Sequence, residues 1–140
     1  MLRTLDAKKY VKMELGIKIQ HQFTISENIY DGFKSIFNDK NILHVNAEYA
    51  QSKGFDNKVM YGNILNGFVS YFVGELLPVN NVFIQQQEIA FHKPCYLGDA
   101  IEFEAELKEI YESVNAYIFK FKFNKEGEAV AKGKVQIGLL

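Results

Sequence analysis

Asp39 and His44 stand five positions apart in a polar segment, and Gly62 follows eighteen positions later, near the head of the longest apolar run in the chain. From Asn38 to His44 neither a 3.6-residue nor a 2-residue hydrophobic period can be drawn, so the segment predicts an irregular loop. An imidazole exchanges protons near neutrality, and a carboxylate bonded to one ring nitrogen fixes its tautomer and raises its basicity. An Asp and a His converging from one loop would therefore hold and activate a single water molecule. Gly62 offers the complementary group: the first N–H groups of a helix have no intrahelical partner, they favour developing negative charge, and Gly admits close approach to the backbone. A substrate carbonyl could sit there. Taken alone, the same loop also reads as an Asx-rich connection whose Asp39 and Asn41 merely bond backbone amides.

The elements that must position these residues follow from local signals. Ser26 is an N-cap, Glu27 suits the first turn, and Ile29, Phe33, Ile36 and Phe37 give helical spacing over residues 27–37. Asn46 caps a second short helix over 47–53, closed by Gly54. Residues 60–77 are apolar almost all round and predict a long helix buried on most faces, ended by Pro78. Gly67 and Gly74 within it each cost about 1 kcal/mol relative to Ala, which predicts that a sheet backbone or an acyl chain comes close to them. Strands are expected over 15–25, 82–91, 100–111, 116–123 and 128–138, the last two joined by the turn Asn124-Lys125-Glu126-Gly127. In 100–111 Ile101, Phe103, Ala105 and Leu107 face inward and Glu102, Glu104, Glu106 and Lys108 outward. The result is an α+β domain, five strands wrapped around one central helix.

Composition narrows the function classes. A chain of 140 residues with 16 basic and 17 acidic side chains has a net charge of −1, which gives no electrostatic reason to expect nucleic acid or an anionic membrane as partner. Any basic footprint would have to be local, such as Lys53, Lys58 and Lys93 around a phosphate, and surface lysines are far more often just solvated. The single Cys95 cannot form an intramolecular disulfide and reads as a small buried hydrophobe. Residues 60–77 are broken by Asn63, Asn66, Glu75 and three glycines, unlike the roughly 20 apolar residues of a membrane span. Residues 1–14 form an N-terminal extension without a signal-peptide core, residues 15–140 form the domain, and a cytoplasmic location is expected. No metal-ligand cluster, phosphate-binding Gly loop or nucleophile elbow is present, so no metal and no cofactor is expected. His21 falls on the apolar face of its strand and reads as a core or interface residue, and His92 as a surface or interface one.

Asp39-x-Asn41-x-Leu43-His44, then Ala47-Glu48-Tyr49-Ala50, Gly54-Phe55 and Gly62, then Leu77-Pro78 and Phe91-His92-Lys93-Pro94-Cys95-Tyr96-Leu97-Gly98-Asp99, resemble the MaoC-like (R)-specific enoyl-CoA hydratases and 3-hydroxyacyl dehydratases of the hot-dog fold. The resemblance implies a hot-dog domain, a homodimer or dimer of dimers, and an acyl thioester of CoA or of acyl carrier protein as substrate. It implies that Asp39 and His44 are the catalytic pair, that the Gly62 amide polarises the thioester, and that Asn41, Phe55, Tyr61 and Asn63 contact substrate. The chain departs from the family pattern in having Asn38, Ile42 and Asn46 where Gly, Pro and Asp are usual, and Tyr61 where a His usually precedes the helix-opening Gly. Two other functions fit the scaffold. A hot-dog thioesterase would need a carboxylate on the central helix, where Glu75 is the one available, and a non-catalytic acyl-thioester binder would need no proton-transfer groups at all.

Overall fold

The computed structural model of the chain describes residues 12–140, and the predicted extension lies mostly outside them. Met13, at its end, is already part of the core. Five strands follow, β1 (Lys18–Thr24), β2 (Val82–Phe91), β3 (Ala100–Tyr111), β4 (Ala116–Lys125) and β5 (Glu128–Leu139). They form one antiparallel sheet in the order β1-β3-β4-β5-β2. The helices are α1 (Glu27–Phe37), α2 (Ile42–Val45), α3 (Ala47–Ser52) and α4 (Asn63–Tyr71), and α4 runs on into a π-helical turn, Phe72–Leu76. This is the hot-dog arrangement, with α4 lying in the concave face of the sheet.

Local chemistry accounts for most boundaries. Ser26 Oγ accepts the Ile29 N–H at 3.2 Å, and α1 ends at Asn38 in the left-handed conformation, φ 53°. Asn46 Oδ1 accepts the Tyr49 N–H at 2.9 Å, and Gly54 stops the chain after α3 at φ 93°. The β4–β5 hairpin turns on Glu126 and Gly127, φ 50° and 80°, the paired positive values that suit the right-handed twist of a two-residue connection.

The core forms where the aromatic faces of the strands meet α4. Phe68 stacks on Phe23 with ring centroids 4.2 Å apart, and Phe72 meets Phe103 at 5.1 Å and Phe119 at 5.2 Å. Ile101, Phe103, Ala105 and Leu107 are all buried, as the alternation of β3 requires. On the outer face Glu104 lies opposite Lys122 and Glu106 opposite Lys120. Between β4 and β5, however, Lys120 faces Lys134 and Lys122 faces Lys132, so charge complementarity is interrupted there and resumes between β5 and β2, where Lys134 lies 3.6 Å from Glu88.

Three expectations are corrected. The segment between α1 and α3 is not irregular throughout: Ile42–Val45 form one helical turn, because Asn41 Oδ1 accepts the Leu43 N–H at 3.0 Å and caps it. The central helix is not buried all round: Ile64, Leu65, Phe68 and Val69 are buried, whereas Asn63, Gly67, Ser70, Tyr71, Gly74 and Glu75 are exposed in one stripe. Finally, the sheet does not approach Gly67 or Gly74, since a Cβ at either would meet nothing within 4 Å. The tightest glycine is Gly133 on β5, where a Cβ would lie 2.1 Å from the Glu88 carbonyl oxygen of β2 and 2.6 Å from the Phe121 ring; at Gly138 it would meet only side-chain ends of Phe83 and Gln85, at 2.7 Å.

Gly133→Ala must therefore push the edge strand β2 away from β5, and it is expected to cost about 1–3 kcal/mol or more in urea unfolding. Gly67→Ala, in open space within a helix, should be neutral or stabilising by up to about 1 kcal/mol. Equal effects of the two substitutions would contradict this placement.

Candidate active site

His44 sits in α2 with its Nδ1 2.7 Å from the Val59 carbonyl oxygen. A carbonyl only accepts, so Nδ1 carries the proton and Nε2 of the neutral ring is left with a lone pair. The ring rests on Tyr61, centroids 4.3 Å apart. The Tyr30 hydroxyl donates to the His44 carbonyl at 2.6 Å and lies 3.0 Å from the Val59 carbonyl, so one buried phenol ties together the backbone of His44 and the acceptor of its ring proton. The Tyr61 hydroxyl donates to the Asp39 carbonyl at 2.5 Å. Each of the paired loop residues is thus pinned through its main chain by a tyrosine, and the two phenol rings are 5.5 Å apart.

Sequence reasoning assigned the orientation of the imidazole to a carboxylate. The structure assigns it to the Val59 main chain, while Asp39 Oδ1 accepts the Asn41 N–H at 3.1 Å in an Asx turn. Asp39 and His44 face different spaces. His44 lines a cavity of about 350 Å³ together with Gly62, Phe55, His92, Lys93 and Cys95. Asp39 lines a groove of about 920 Å³ between α1 and α4, together with Asn63, Phe33, Phe37 and Phe68. The two spaces are walled by consecutive residues at the tip of α4, Gly62 and Asn63.

Gly62 occupies the N-cap position of α4 with φ −55°. Its carbonyl accepts the Leu65 N–H at 3.0 Å, and among the described residues no hydrogen bond engages its own N–H. A Cβ at this position would press on the Phe91 ring at 3.1 Å, so the absent side chain admits that ring beside the cavity. Of the other residues predicted to contact substrate, Phe55 lines the His44 cavity and Asn63 the larger groove. Asn41 is exposed and caps α2; Tyr61 is buried and lines neither space.

The run from Phe91 to Asp99 divides between site and scaffold. Phe91, His92, Lys93, Pro94 and Cys95 line the cavity, and the Cys95 carbonyl accepts the Met60 N–H at 2.8 Å just before α4. Gly98 turns at φ 90°, and Asp99 accepts the Tyr96 N–H at 2.8 Å and the Lys125 ammonium at 2.7 Å. That bond, ahead of its charge, holds the Lys125 ammonium above its ordinary pKa. Burial pushes the Cys95 thiol up to about 11, so it is a packed hydrophobe rather than a thiolate. Lys53 and Lys58 lie over the Tyr49 and Tyr30 rings, and Lys93 pairs with Glu128. Among the described residues no three His, Cys, Asp or Glu side chains converge as a metal site would require, and no helix is long and apolar enough to cross a membrane.

Tyr30 was not singled out from sequence. Its signal was a phenol on the apolar face of α1, in register with Phe33 and Phe37, since a buried Tyr hydroxyl almost always has a partner. Burial, then the charges of Tyr61 and Asp31, push its pKa up to about 12. Burial and then the Asp39 charge also hold the Tyr61 phenol above its ordinary range. A raised phenol pKa means that the folded chain favours the neutral form. The stability this contributes is complete below the unfolded value near 10 and is lost as pH rises from there towards 12. Tyr30→Phe should therefore flatten the alkaline limb of stability between pH 10 and 12. At neutral pH it should cost about 1–3 kcal/mol, because the His44 carbonyl loses its donor. Denaturant titrations across pH measure both effects, and an alkaline limb identical to that of the wild type would refute the assignment.

Comparison with known proteins places the chain. The family model described as "MaoC like domain" matches residues 9–126. An (R)-specific enoyl-CoA hydratase of Rhodospirillum rubrum is 26% identical over 114 residues, covering 81% of this chain and 79% of that protein. A 3-hydroxybutyryl-CoA dehydratase of Methylorubrum extorquens is 26% identical over 110 residues, covering 79% and 70%. The solved (R)-hydratase from A. caviae involved in PHA biosynthesis superposes with a TM-score of 0.84 at 21% identity, covering 91% of this chain and 98% of that one. At that identity the superposition speaks for the fold.

Proposed function

Because this chain belongs to the MaoC-like domain family, we propose that it is a hydro-lyase that adds water reversibly to trans-2-enoyl thioesters, giving (R)-3-hydroxyacyl thioesters, with CoA or acyl carrier protein as the carrier. The observation that carries the reading is the state of His44. Its Nδ1–H is committed to the Val59 carbonyl, which leaves Nε2 as a base in the cavity that Gly62 also lines.

In the hydration direction a water oxygen bonds to C3 of the enoyl group while Nε2 of His44 takes one of its protons. The electron pair of the double bond moves towards the thioester, and the oxygen that gains charge accepts the Gly62 N–H. The proton held on Nε2 of His44 then returns to C2 on the face the water came from and completes a syn addition; Asp39, which lines the neighbouring groove across the tip of α4, would share in the transfer only by turning its carboxylate towards that cavity. General acid–base groups contribute typically 10²–10⁴-fold, and a backbone donor aimed at developing charge contributes on a similar scale. The acyl chain lies along the α1–α4 groove, whose walls include Ile29, Phe33 and Phe68. Asn41, Phe55, Tyr61 and Asn63 act around this path, Asn41 and Tyr61 by holding the loop. A second copy of the chain adds its β2 edge to β2 of the first, which covers the exposed Phe83 and Ile84.

Thioester hydrolysis has less support, since the one carboxylate of the central helix, Glu75, lies in the π-turn at the end remote from Gly62. Incubation with enoyl, 3-hydroxyacyl and saturated thioesters of graded length, on both carriers, separates the readings. Loss of the conjugated enone absorbance is expected; release of free thiol from a saturated acyl thioester would point to hydrolysis instead. His44→Ala and Asp39→Asn should each lower kcat by at least about 100-fold with the fold intact by circular dichroism. Near-normal turnover in either variant would remove that residue from the mechanism.

A further inference from the structure

Three carboxamides form a directed chain, two of them on one wall of the α1–α4 groove and the third, Gln87, behind them on β2. Gln87 of β2 donates from Nε2 to Oδ1 of Asn66, and Asn66 donates from Nδ2 to Oδ1 of Asn63 at 2.8 Å. Asn66 and Asn63 are one helical turn apart on α4, and both line the groove. A side-chain amide has one acceptor oxygen and two N–H donors. Here each asparagine oxygen already accepts from the amide behind it, so the unused groups of the pair are chiefly donors: both N–H bonds of Asn63 and the second N–H of Asn66. Among the described residues no hydrogen bond engages them. Successive bonds in such a chain polarise one another, which strengthens the donors at its leading end.

The surroundings make this wall unusual. Ile29, Phe33, Ile64 and Phe68 line the same groove; the apolar packing of α4 on the sheet is carried by Ile64, Leu65, Phe68 and Val69, and the Gln87–Asn66 bond ties α4 to β2 beside it. An alkyl chain laid along the groove would strip water from the amide donors and give nothing back, whereas an oxygen atom in the chain would restore the lost bond. A site built to hydrogen-bond a substrate oxygen rejects the analogue that lacks it far more strongly than an apolar pocket rejects a change of size.

We propose, resting on the hydratase reading above, that the acyl group this enzyme accepts carries an oxygen acceptor, as a hydroxyl, ether or carbonyl, beyond the reacting double bond. The donors of Asn63 and Asn66 bind that oxygen, and Gln87 holds them in place from β2. The enzyme is selective for oxygenated acyl thioesters over alkyl ones of equal length.

The test uses matched pairs of trans-2-enoyl-CoA thioesters. One member of each pair is a plain alkyl chain, and the other carries a single ether or hydroxyl oxygen at successive positions from C5 outwards. With the full-length wild type, kcat/KM for at least one oxygenated member should exceed that of its alkyl partner by roughly tenfold or more, the scale of one donor left unpaired once the bound chain covers it. The ratio should fall to about one in Asn66→Leu and in Asn63→Ala, the second variant being at the exposed helix tip and so able to report if the first does not fold. Alkyl chains preferred or equal throughout the wild-type panel would overturn the proposal while leaving the hydratase reading intact, as would an unchanged ratio in either folded variant. Hydration of no member at all would instead overturn the hydratase reading, and this inference with it.

Discussion

The Val59 carbonyl accepts the Nδ1–H of His44 and lies within reach of the Tyr30 hydroxyl, and the Val59 N–H donates to the Leu43 carbonyl. One residue ahead of α4 therefore fixes the tautomer of His44, its ring orientation and the path of the loop that bears it. The interaction works because the group is a main-chain carbonyl. It accepts but never donates, it does not titrate, and its position is set by the Met60 N–H bonded to the Cys95 carbonyl one residue on. A carboxylate in its place would add a charge that the local burial would have to compensate. The rest of the site depends on this arrangement, since Tyr61 stacks on the same ring and holds Asp39 from behind.

The polar residues of the loop then divide their work. Asp39, Asn41 and Asn46 each accept a backbone N–H and so satisfy the donors that three closely spaced turns leave open. Such capping is compatible with a role in proton transfer for Asp39, because a carboxylate has capacity for several donors and Oδ1 uses only part of it. Ile42 where Pro is usual costs the loop a conformational restraint, and the Asn41 cap of α2 restores one. Tyr61 where His is usual trades a titratable ring for a buried phenol that braces the main chain.

Helix α4 has two unlike sides, one packed on the sheet and one turned away from it. The concave face grips Ile64, Leu65, Phe68, Val69 and Phe72 through the aromatic side chains of β3 and β4. The opposite side carries Asn63, Asn66, Gly67 and Ser70, small or polar, facing the α1–α4 groove or open space. The π-turn at Phe72–Leu76 ends the helix over the last of the aromatic cluster and keeps Phe72 and Val73 inward. At the sheet edge Gly133 lets β2 close on β5 beneath the Phe121 ring, which brings Gln87 within reach of Asn66.

What the sequence determined by itself is everything with a local cause. Ser26 and Asn46 as caps, Gly54 and Gly127 at positive φ, the alternation of β3 and the apolar run from Met60 to Leu77 each act within a few residues, so the five strands, α1, α3 and the central helix were legible from spacing alone. The four-residue turn α2 was not, because it contains no period and is held by the Asn41 cap together with the distant Val59 N–H and Tyr30 hydroxyl on its carbonyls. Candidate site residues were legible by type but not by partner. His44 finds its acceptor fifteen residues away, Tyr61 meets Asp39 across twenty-two, and Gln87 meets Asn66 across twenty-one. The first two of those acceptors are main-chain carbonyls, which every residue possesses and no residue type encodes. Only the packing of α1 and the loop against the head of α4 decided which carbonyl would stand beneath the imidazole, and the same packing put Asp39 and His44 on different sides of the helix tip.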